Sequence, residues 1–348
     1  MKELIDKLYK ENDLDENELL YLLDYIKKAD QDYLMAKARE MAFQHYGGYI
    51  YARGLIEFTN YCCRDCSYCG IRASNKKADR YRLSLEQILS ACTEGDRLGY
   101  RTFVLQGGED IHYTDEKIVE IIKNIKYRFP SCAVTLSIGE KSYESYQKYY
   151  NAGADRYLLR HETASKLLYE KLHPGMSFEN RRQCLINLKR IGYQVGAGFM
   201  VGLPGQTHQD YVKDLRFLKS IRPHMVGIGP FIPHQDTPLA AENGGTVEMT
   251  ITLLAIIRLM LPEVLLPATT ALGTIDPSGR EKGLKAGANV VMPNLSPVNV
   301  REKYSLYNGK ICTGDEAAEC RRCIEDRVTG AGFTLDMSRG DHKRWERI

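Results

Sequence analysis

Three cysteines stand within eight residues: Cys62, Cys66 and Cys69, in Tyr61-Cys62-Cys63-Arg64-Asp65-Cys66-Ser67-Tyr68-Cys69-Gly70. The spacing is C-x3-C-x2-C, with the aromatic Tyr68 directly ahead of the third thiol. Cysteine thiolates hold iron–sulfur clusters, normally four to a [4Fe–4S] cube. Three on one short loop hold three irons and leave the fourth with an open position, where chemistry takes place. A zinc knuckle and a disulfide-bonded loop are the alternatives. Zinc asks for four ligands, and the one further local thiol, Cys63, is expected to point away from its neighbour Cys62. A second group, Cys312-x7-Cys320-x2-Cys323, is again one ligand short. It reads as a second iron–sulfur site, [4Fe–4S] or [2Fe–2S], with a zinc site completed from elsewhere as the rival. Cys92, Cys132 and Cys184 are scattered and read as small buried apolar side chains.

The first cysteine loop follows a β-rich run, and such runs recur. Strands are expected at 54–60, 102–107, 133–138, 156–161, 195–201, 225–231, 265–270 and 289–293. Amphipathic helices are expected between them, near 84–99, 115–128, 141–152, 179–192, 208–221, 246–261 and 278–286. Ser84, Asp115, Ser177 and Thr246 are the expected caps, and Gly99, Gly153, Gly192 and Gly287 the expected terminators. Parallel strands joined by helices follow from this alternation. Eight strands predict an α/β fold, a closed (βα)8 TIM-type barrel; six would give an open partial barrel. The expected domains are a helical extension over 1–48, the barrel over 49–298 and a short cysteine-bearing segment over 299–348. Active-site groups of such a barrel sit at the C-terminal ends of its strands. Those ends carry Asn60 and the cysteines, Gln106-Gly-Gly-Glu-Asp110, Thr135 and Ser137, Arg160-His-Glu162, Met200-Val-Gly202, Pro230-Phe-Ile-Pro233, Thr269-Thr270 and Met292-Pro-Asn294.

Composition is that of an ordinary globular protein: 348 residues, 27% charged, 43% hydrophobic. A net charge of +3 argues for neither nucleic acid nor a membrane as partner. Ten cysteines in so long a chain are not a disulfide framework. No basic-then-apolar leader opens the sequence, and the apolar run Met249 to Met260 is too short to span a bilayer. The expected location is the reducing cytoplasm.

The C-x3-C-x2-C loop with its aromatic resembles the signature of the radical S-adenosylmethionine (SAM) superfamily. The resemblance implies that SAM chelates the open iron and is cleaved to methionine and a 5′-deoxyadenosyl radical. It gives the other constellations a role beside their plain structural ones. Gly107, Gly108 and Glu109 would receive the methionine amine; two glycines let backbone approach a ligand closely, and an ordinary strand-to-helix turn is the alternative. Arg160 and Glu162 alternate on a strand and are expected to point together, with Arg156 in line. A carboxylate suits the ribose diol and an arginine grips a carboxylate with two bonds; Arg181 is a second arginine for that task, and a structural salt bridge is the alternative. Ser137, at a strand end, joins the cofactor set. Gly198-Phe-Met-Val-Gly-Leu-Pro-Gly-Gln-Thr207 is similar to the G-x-I-x-G-x-x-E stretch that contacts adenine, with Gln206 where the pattern has glutamate. Met200 and Phe231 would line the adenine slot or else belong to the core. His234, in a proline-rich loop, is a ligand or proton carrier if it is not an ordinary loop histidine.

Taken with Arg156-Tyr-Leu-Leu-Arg-His-Glu-Thr163, Gly227-Ile-Gly-Pro-Phe-Ile-Pro-His234 and the second cysteine trio, the chain resembles the HydE family, radical SAM maturases of [FeFe]-hydrogenase. That resemblance runs over about 50–323. It implies a complete barrel with a large cavity and an accessory surface cluster on Cys312, Cys320 and Cys323. The implied substrate is a small anionic iron complex of cysteine, CO and cyanide supplied by HydG. The radical would attack its sulfur, and the product would pass to HydF for diiron subcluster assembly. Thr135, Arg156, Thr269, Thr270, Met292 and Tyr307 would line the anion-binding part of the cavity, and a ferredoxin or flavodoxin would supply electrons. Methylornithine synthase shares the barrel but not the downstream trio. Biotin synthase would need further cysteines inside the barrel, which this chain does not offer. A plain Fe–S carrier is the non-enzyme alternative.

Overall fold

The computed structural model describes residues 1–347. Its centre is a wall of parallel strands laid side by side in sequence order. Gly54–Thr59 pairs with Thr102–Gly107, which pairs with Ala133–Ser137. Arg156–Leu158, Gln194–Ala197 and Met225–Val226 follow in turn. Bridges Met225–Leu265 and Pro267–Val290 add the seventh and eighth staves, and Leu55–Asn294 joins the eighth to the first. The Leu55 N–H donates to Pro293 at 2.9 Å and the Leu295 N–H donates to Leu55 at 2.7 Å, so the ring is closed. With eight staves in a closed ring, the (βα)8 expectation holds.

Residues paired across parallel strands share a face. One inward ring therefore holds Leu55, Val104, Thr135, Arg156 and Gln194, and the ring above it holds Glu57, Gln106 and Ser137 with Leu158 and Gly196. Gln106, Ser137 and Leu158 point inward yet are only half-buried, so the barrel is hollow toward its C-terminal end.

The expected helices form, with sequence-encoded ends. Ser84, Ser177 and Thr246 each accept a bond from a first-turn N–H. Thr114 rather than Asp115 caps Asp115–Arg128, because the hydroxyl one residue earlier reaches the Lys117 N–H. Gly153 and Gly192 end their helices with positive φ, 118° and 107°. Val247–Met260 is mostly apolar. It lies between the barrel and the extension helices Lys2–Glu11 and Lys28–Tyr46 and is buried from Thr250 to Met260. The third extension helix, Glu16–Tyr25, starts in a capping box at Asp15 and packs on His208–Ile221.

Two expectations need correction. The fourth strand ends at Leu158, not 161, because Glu162 adopts φ 66° and the chain turns there. Short helices Lys166–Leu172 and Thr270–Ile275, and the longer Ala317–Gly330, lie in stretches read as loops. The end of the chain, beyond the second cysteine group, is built into the fold. Thr334–Asp336 pairs with Tyr49–Tyr51, and the residues after it cross the base of the barrel. The Arg339 carbonyl accepts from Thr102 Oγ1 and Arg156 Nη2. Asp341 accepts from Arg156 and from Gln194 Nε2, both at 2.6 Å. Trp345 Nε1 donates to the Gly192 carbonyl at 2.8 Å, and Arg347 donates to the carbonyls of Tyr150 and Ala154. The segment is a strap that plugs the bottom of the barrel.

Trp345 is the one tryptophan in the chain, so indole fluorescence reports the strap alone. In a urea titration its emission shift is expected to coincide with the loss of helical circular dichroism. A tryptophan transition at lower urea would mean that the strap lets go of an intact barrel.

Candidate functional site

The first cysteine loop leaves the top of the first stave and is braced from all sides. Asp65 accepts both Arg72 Nε and Nη2, at 2.8 and 2.6 Å, and the backbone and hydroxyl of Ser74. The Arg80 guanidinium donates to the carbonyls of Asn60, Ile71, Arg72 and Asn75. The Ser67 N–H donates to Leu172, and the Gly70 N–H to Leu306. A Cβ at Gly70 would lie 2.1 Å from the Ser305 carbonyl, so only glycine fits. Tyr68 is pinned by His173: His173 Nδ1 lies 2.8 Å from the Tyr169 carbonyl and so carries the proton. Nε2 therefore accepts from the Tyr68 hydroxyl at 2.9 Å.

The Arg64 and Glu109 N–H groups both point at Cys62 Sγ, at 3.4 Å. Burial raises the Cys66 thiol well above its usual range, and Cys69 and Cys62 add to this by repelling negative charge. Burial, with help from Cys62, pushes Cys69 up to about 12. Three crowded thiols therefore need a compensating cationic group to ionise together; iron supplies one, since a coordinated thiol is deprotonated outright. Among the described residues no three Cys, His, Asp or Glu converge on a point for a single ion.

Charged side chains lock the cysteine loop to its surroundings. Arg64, inside the C-x3-C, donates Nε to Glu109 Oε2 at 2.7 Å. Glu109 Oε1 accepts the Glu140 N–H at 3.0 Å. Glu140 in turn accepts Arg181 Nε at 2.6 Å and Asn180 Nδ2 at 2.8 Å, with Arg64 Nη2 at 3.7 Å. Arg181 Nη1 donates to the Arg160 carbonyl at 2.8 Å, and Arg160 Nε donates to Glu162 Oε1 at 3.2 Å. Arg64 and Glu140 were not anticipated. Arg64 was legible by position, lying between two cysteines; Glu140 lies two residues past the expected strand end. Arg160 and Glu162 do meet, but through a left-handed turn at Glu162, not through strand alternation. Behind that turn His161 is fully enclosed and burial holds it neutral, down to about 3. It accepts the Gly198 N–H at Nδ1, and Nε2 donates to Asp214 at 3.2 Å.

Gly107 and Gly108 lie where the second stave meets the cysteine loop; a Cβ on Gly108 would sit 2.2 Å from the Tyr61 carbonyl. Ser137 faces the hollow at the level of Gln106. Met200 and Phe231 pack with Leu168, Leu172 and Leu203, and Tyr68 leans on that cluster. Gln206 accepts the Gly202 and Leu203 N–H groups and donates to the Met200 carbonyl, so an amide staples this loop. A carboxylate could not give the third bond. His234 is a brace between Ser305 Oγ and the Asp236 N–H.

The expected substrate residues fall into two groups. Thr270 and Met292 border a cavity shared with Glu57, Arg280 and Lys310, where Lys310 Nζ grips Glu57 at 2.7 and 2.8 Å. Thr269 caps the neighbouring helix, and Tyr307 reaches toward Thr274. Thr135 and Arg156 lie one ring lower. Arg156 does not reach up toward the cysteine loop: Nη1 goes to Thr102 and Nη2 to the strap, leaving only Nε unpartnered. Of the second cysteine trio, Cys320 is buried and Cys323 is exposed. All three border the cavity of Thr270 and Met292; Cys320 and Cys323 ride on the helix Ala317–Gly330, and Cys312 lies in the loop before it.

A model of the radical SAM superfamily matches residues 56–218. The [FeFe] hydrogenase maturase subunit HydE of Thermotoga maritima is 48% identical over 311 residues, 89% of each chain. The chain belongs to the HydE family of radical SAM enzymes. 3-Methylornithine synthase of Methanosarcina acetivorans is 32% identical, over 94% of this chain and 92% of its own. A crystal structure of methylornithine synthase superposes with a TM-score of 0.85 at 28% identity, over 96% of this chain and 97% of that one. The radical SAM family implies a [4Fe–4S] cluster and SAM, and the residues present fit both. Three thiols share one braced loop, and enclosed Glu162 Oε2 has only the Arg160 guanidinium beside it, at 3.2 Å, which leaves it able to accept from a ribose diol.

Glu140 touches no expected ligand atom but ties Arg64 to Arg181. Glu140→Gln keeps the shape and loses one charged partner for each arginine. A hydrogen bond to a charged group is worth about 1.5–3 kcal/mol, so SAM affinity is expected to fall about tenfold or more. Equilibrium binding of SAM to the reconstituted variant measures this, with iron content unchanged.

Proposed function

We propose that this radical SAM enzyme acts in [FeFe]-hydrogenase maturation, in the building of the diiron subcluster. The observation that carries the reading is the 48% identity to HydE across 89% of both chains. Cys62, Cys66 and Cys69 would hold the cluster, whose bound chemistry is the reductive cleavage of SAM to a 5′-deoxyadenosyl radical. Arg160, Arg181 and Glu162 would orient SAM, with the backbone at Gly107, Gly108 and Glu109 receiving its amine. Ser137, Met200, Phe231 and Tyr68 would border it. The substrate would be a small anionic iron complex carrying cysteine, CO and cyanide, from HydG, with the product passing to HydF and electrons coming from a ferredoxin or flavodoxin. Enclosed donors favour such an anion: Thr135 Oγ1 and Arg156 Nε have no partner in the barrel.

A second cluster on Cys312, Cys320 and Cys323 is part of the reading. Arginines support it: Arg280 Nη2 lies 3.4 Å from Cys312 Sγ, and Arg301 Nη1 lies 3.5 Å from Cys320 Sγ. Nearby guanidiniums favour thiolate over thiol.

Anaerobically reconstituted protein with dithionite and SAM is expected to release 5′-deoxyadenosine. Cys62→Ala should abolish that product, and Cys320→Ala should leave it within about twofold; a Cys320 variant without turnover would contradict an accessory second site. The pathway assignment has its own check. Added to cells that express an [FeFe]-hydrogenase with HydF and HydG but no HydE, the chain should restore hydrogen evolution. Formation of 3-methylornithine instead would transfer it to the synthase branch.

A further inference from the structure

Glu162 holds a backbone conformation that a residue with a Cβ rarely adopts, φ 66°. Such a turn persists only where its surroundings over-determine it. Two backbone bonds reach it from the next stave. The Glu162 N–H donates to the Gly198 carbonyl at 3.0 Å, and the Met200 N–H donates to the Glu162 carbonyl at 3.1 Å. Gly198 is itself wedged against the following stave, where a Cβ would lie 1.9 Å from the Gly227 carbonyl.

Side chains behind the turn complete the clamp. His161 Nδ1 accepts the Gly198 N–H at 3.3 Å, so the ring carries its proton on Nε2, which donates to Asp214 Oδ1 at 3.2 Å. The same Oδ1 accepts the Ala164 N–H. Residues on either side of Glu162 are thereby tied to one carboxylate of the helix His208–Ile221. The ring also packs on Phe199 and Phe217, with centroids 5.8 and 4.7 Å away. His161 and Asp214 are 2% and 0% exposed and lie on the helix side of the wall, away from the hollow. Asp214 Oδ2 has no partner. An enclosed carboxylate with a bare oxygen costs stability; what this pair supplies is aim.

We propose that His161 is a positioning residue for SAM: backed by Asp214, it holds Glu162 in the left-handed turn and in register with residues 198–200, so that ribose and adenine meet one rigid unit. This rests on the reading given above, in which Glu162 accepts from the ribose diol and Met200 borders SAM. Without the clamp Glu162 relaxes to negative φ, and its carboxylate swings away from the hydroxyls.

The probes are SAM and its 2′-deoxyribose analogue, bound at equilibrium to the anaerobically reconstituted full chain. A hydroxyl bonded to a carboxylate is worth about tenfold or more in affinity, and the parent is expected to prefer SAM by that ratio. Glu162→Ala should bring the ratio within twofold of one. His161→Phe keeps the packing of the ring and removes both of its hydrogen bonds. The ratio is then expected to fall at least threefold, with iron content unchanged. In a Glu162→Ala background the same change should move the ratio no further. Asp214→Val, which cuts the ring from its helix, should also lower the ratio at least threefold, and it carries the test if His161→Phe does not fold. A smaller fall, with both ligands weakened alike, shows a part in stability alone and overturns the positioning role. So does a further change of ratio in the double variant. A parent that binds the two ligands alike, or a Glu162→Ala protein that discriminates as the parent does, overturns the ribose reading instead.

Discussion

Leu55 gives its N–H to Pro293 and accepts that of Leu295, and with these two bonds a twisted parallel sheet becomes a ring. Everything reactive follows from that closure. A ring has no edge strand, so every stave presents one side chain in two to the interior. The polar residues of successive staves then meet across a hollow instead of along a surface. The cysteine loop, the glycine pair and the turn at Glu162 come from different staves and gather only because the wall returns on itself.

The two ends of the hollow are finished differently. At the top, Glu109, Arg64, Glu140 and Arg181 alternate in sign from the cysteine loop to the Arg160 carbonyl. Each charge has a partner of opposite sign, so the enclosed groups escape the heavy cost of an unpaired ion. At the bottom, the strap supplies carbonyls and one carboxylate but leaves donors unpartnered. The upper end is a finished frame waiting for a zwitterion; the lower end is an unfinished one.

Much of this was legible in the chain. Hydrophobic periodicity located the eight staves and their principal helices, since both depend on local spacing and caps. The thiol loop was legible because its chemistry needs only a few adjacent residues. What escaped depends on distant pairing. Nothing local in Arg339-Gly-Asp341 tells that it lies under Arg156, and nothing near Glu140 announces Arg181. Arg156 was placed on the correct face of its strand, but alternation gives side and not depth, and it lies one ring below Gln106 and Ser137. Glu162 was read as strand, although its positive φ serves a turn held from behind by His161 and Asp214.

The pairing of Thr334–Asp336 with Tyr49–Tyr51 has a consequence for how the molecule is made. On a ribosome, the barrel's first strand emerges long before its lower partner has been translated. The base therefore stays open until residues 334–347 have emerged, and until then the nascent chain carries an unpaired backbone edge. Contacts of such long sequence separation form late and slowly. The chain thus passes through a stage with an uncovered base, when chaperones have most to protect.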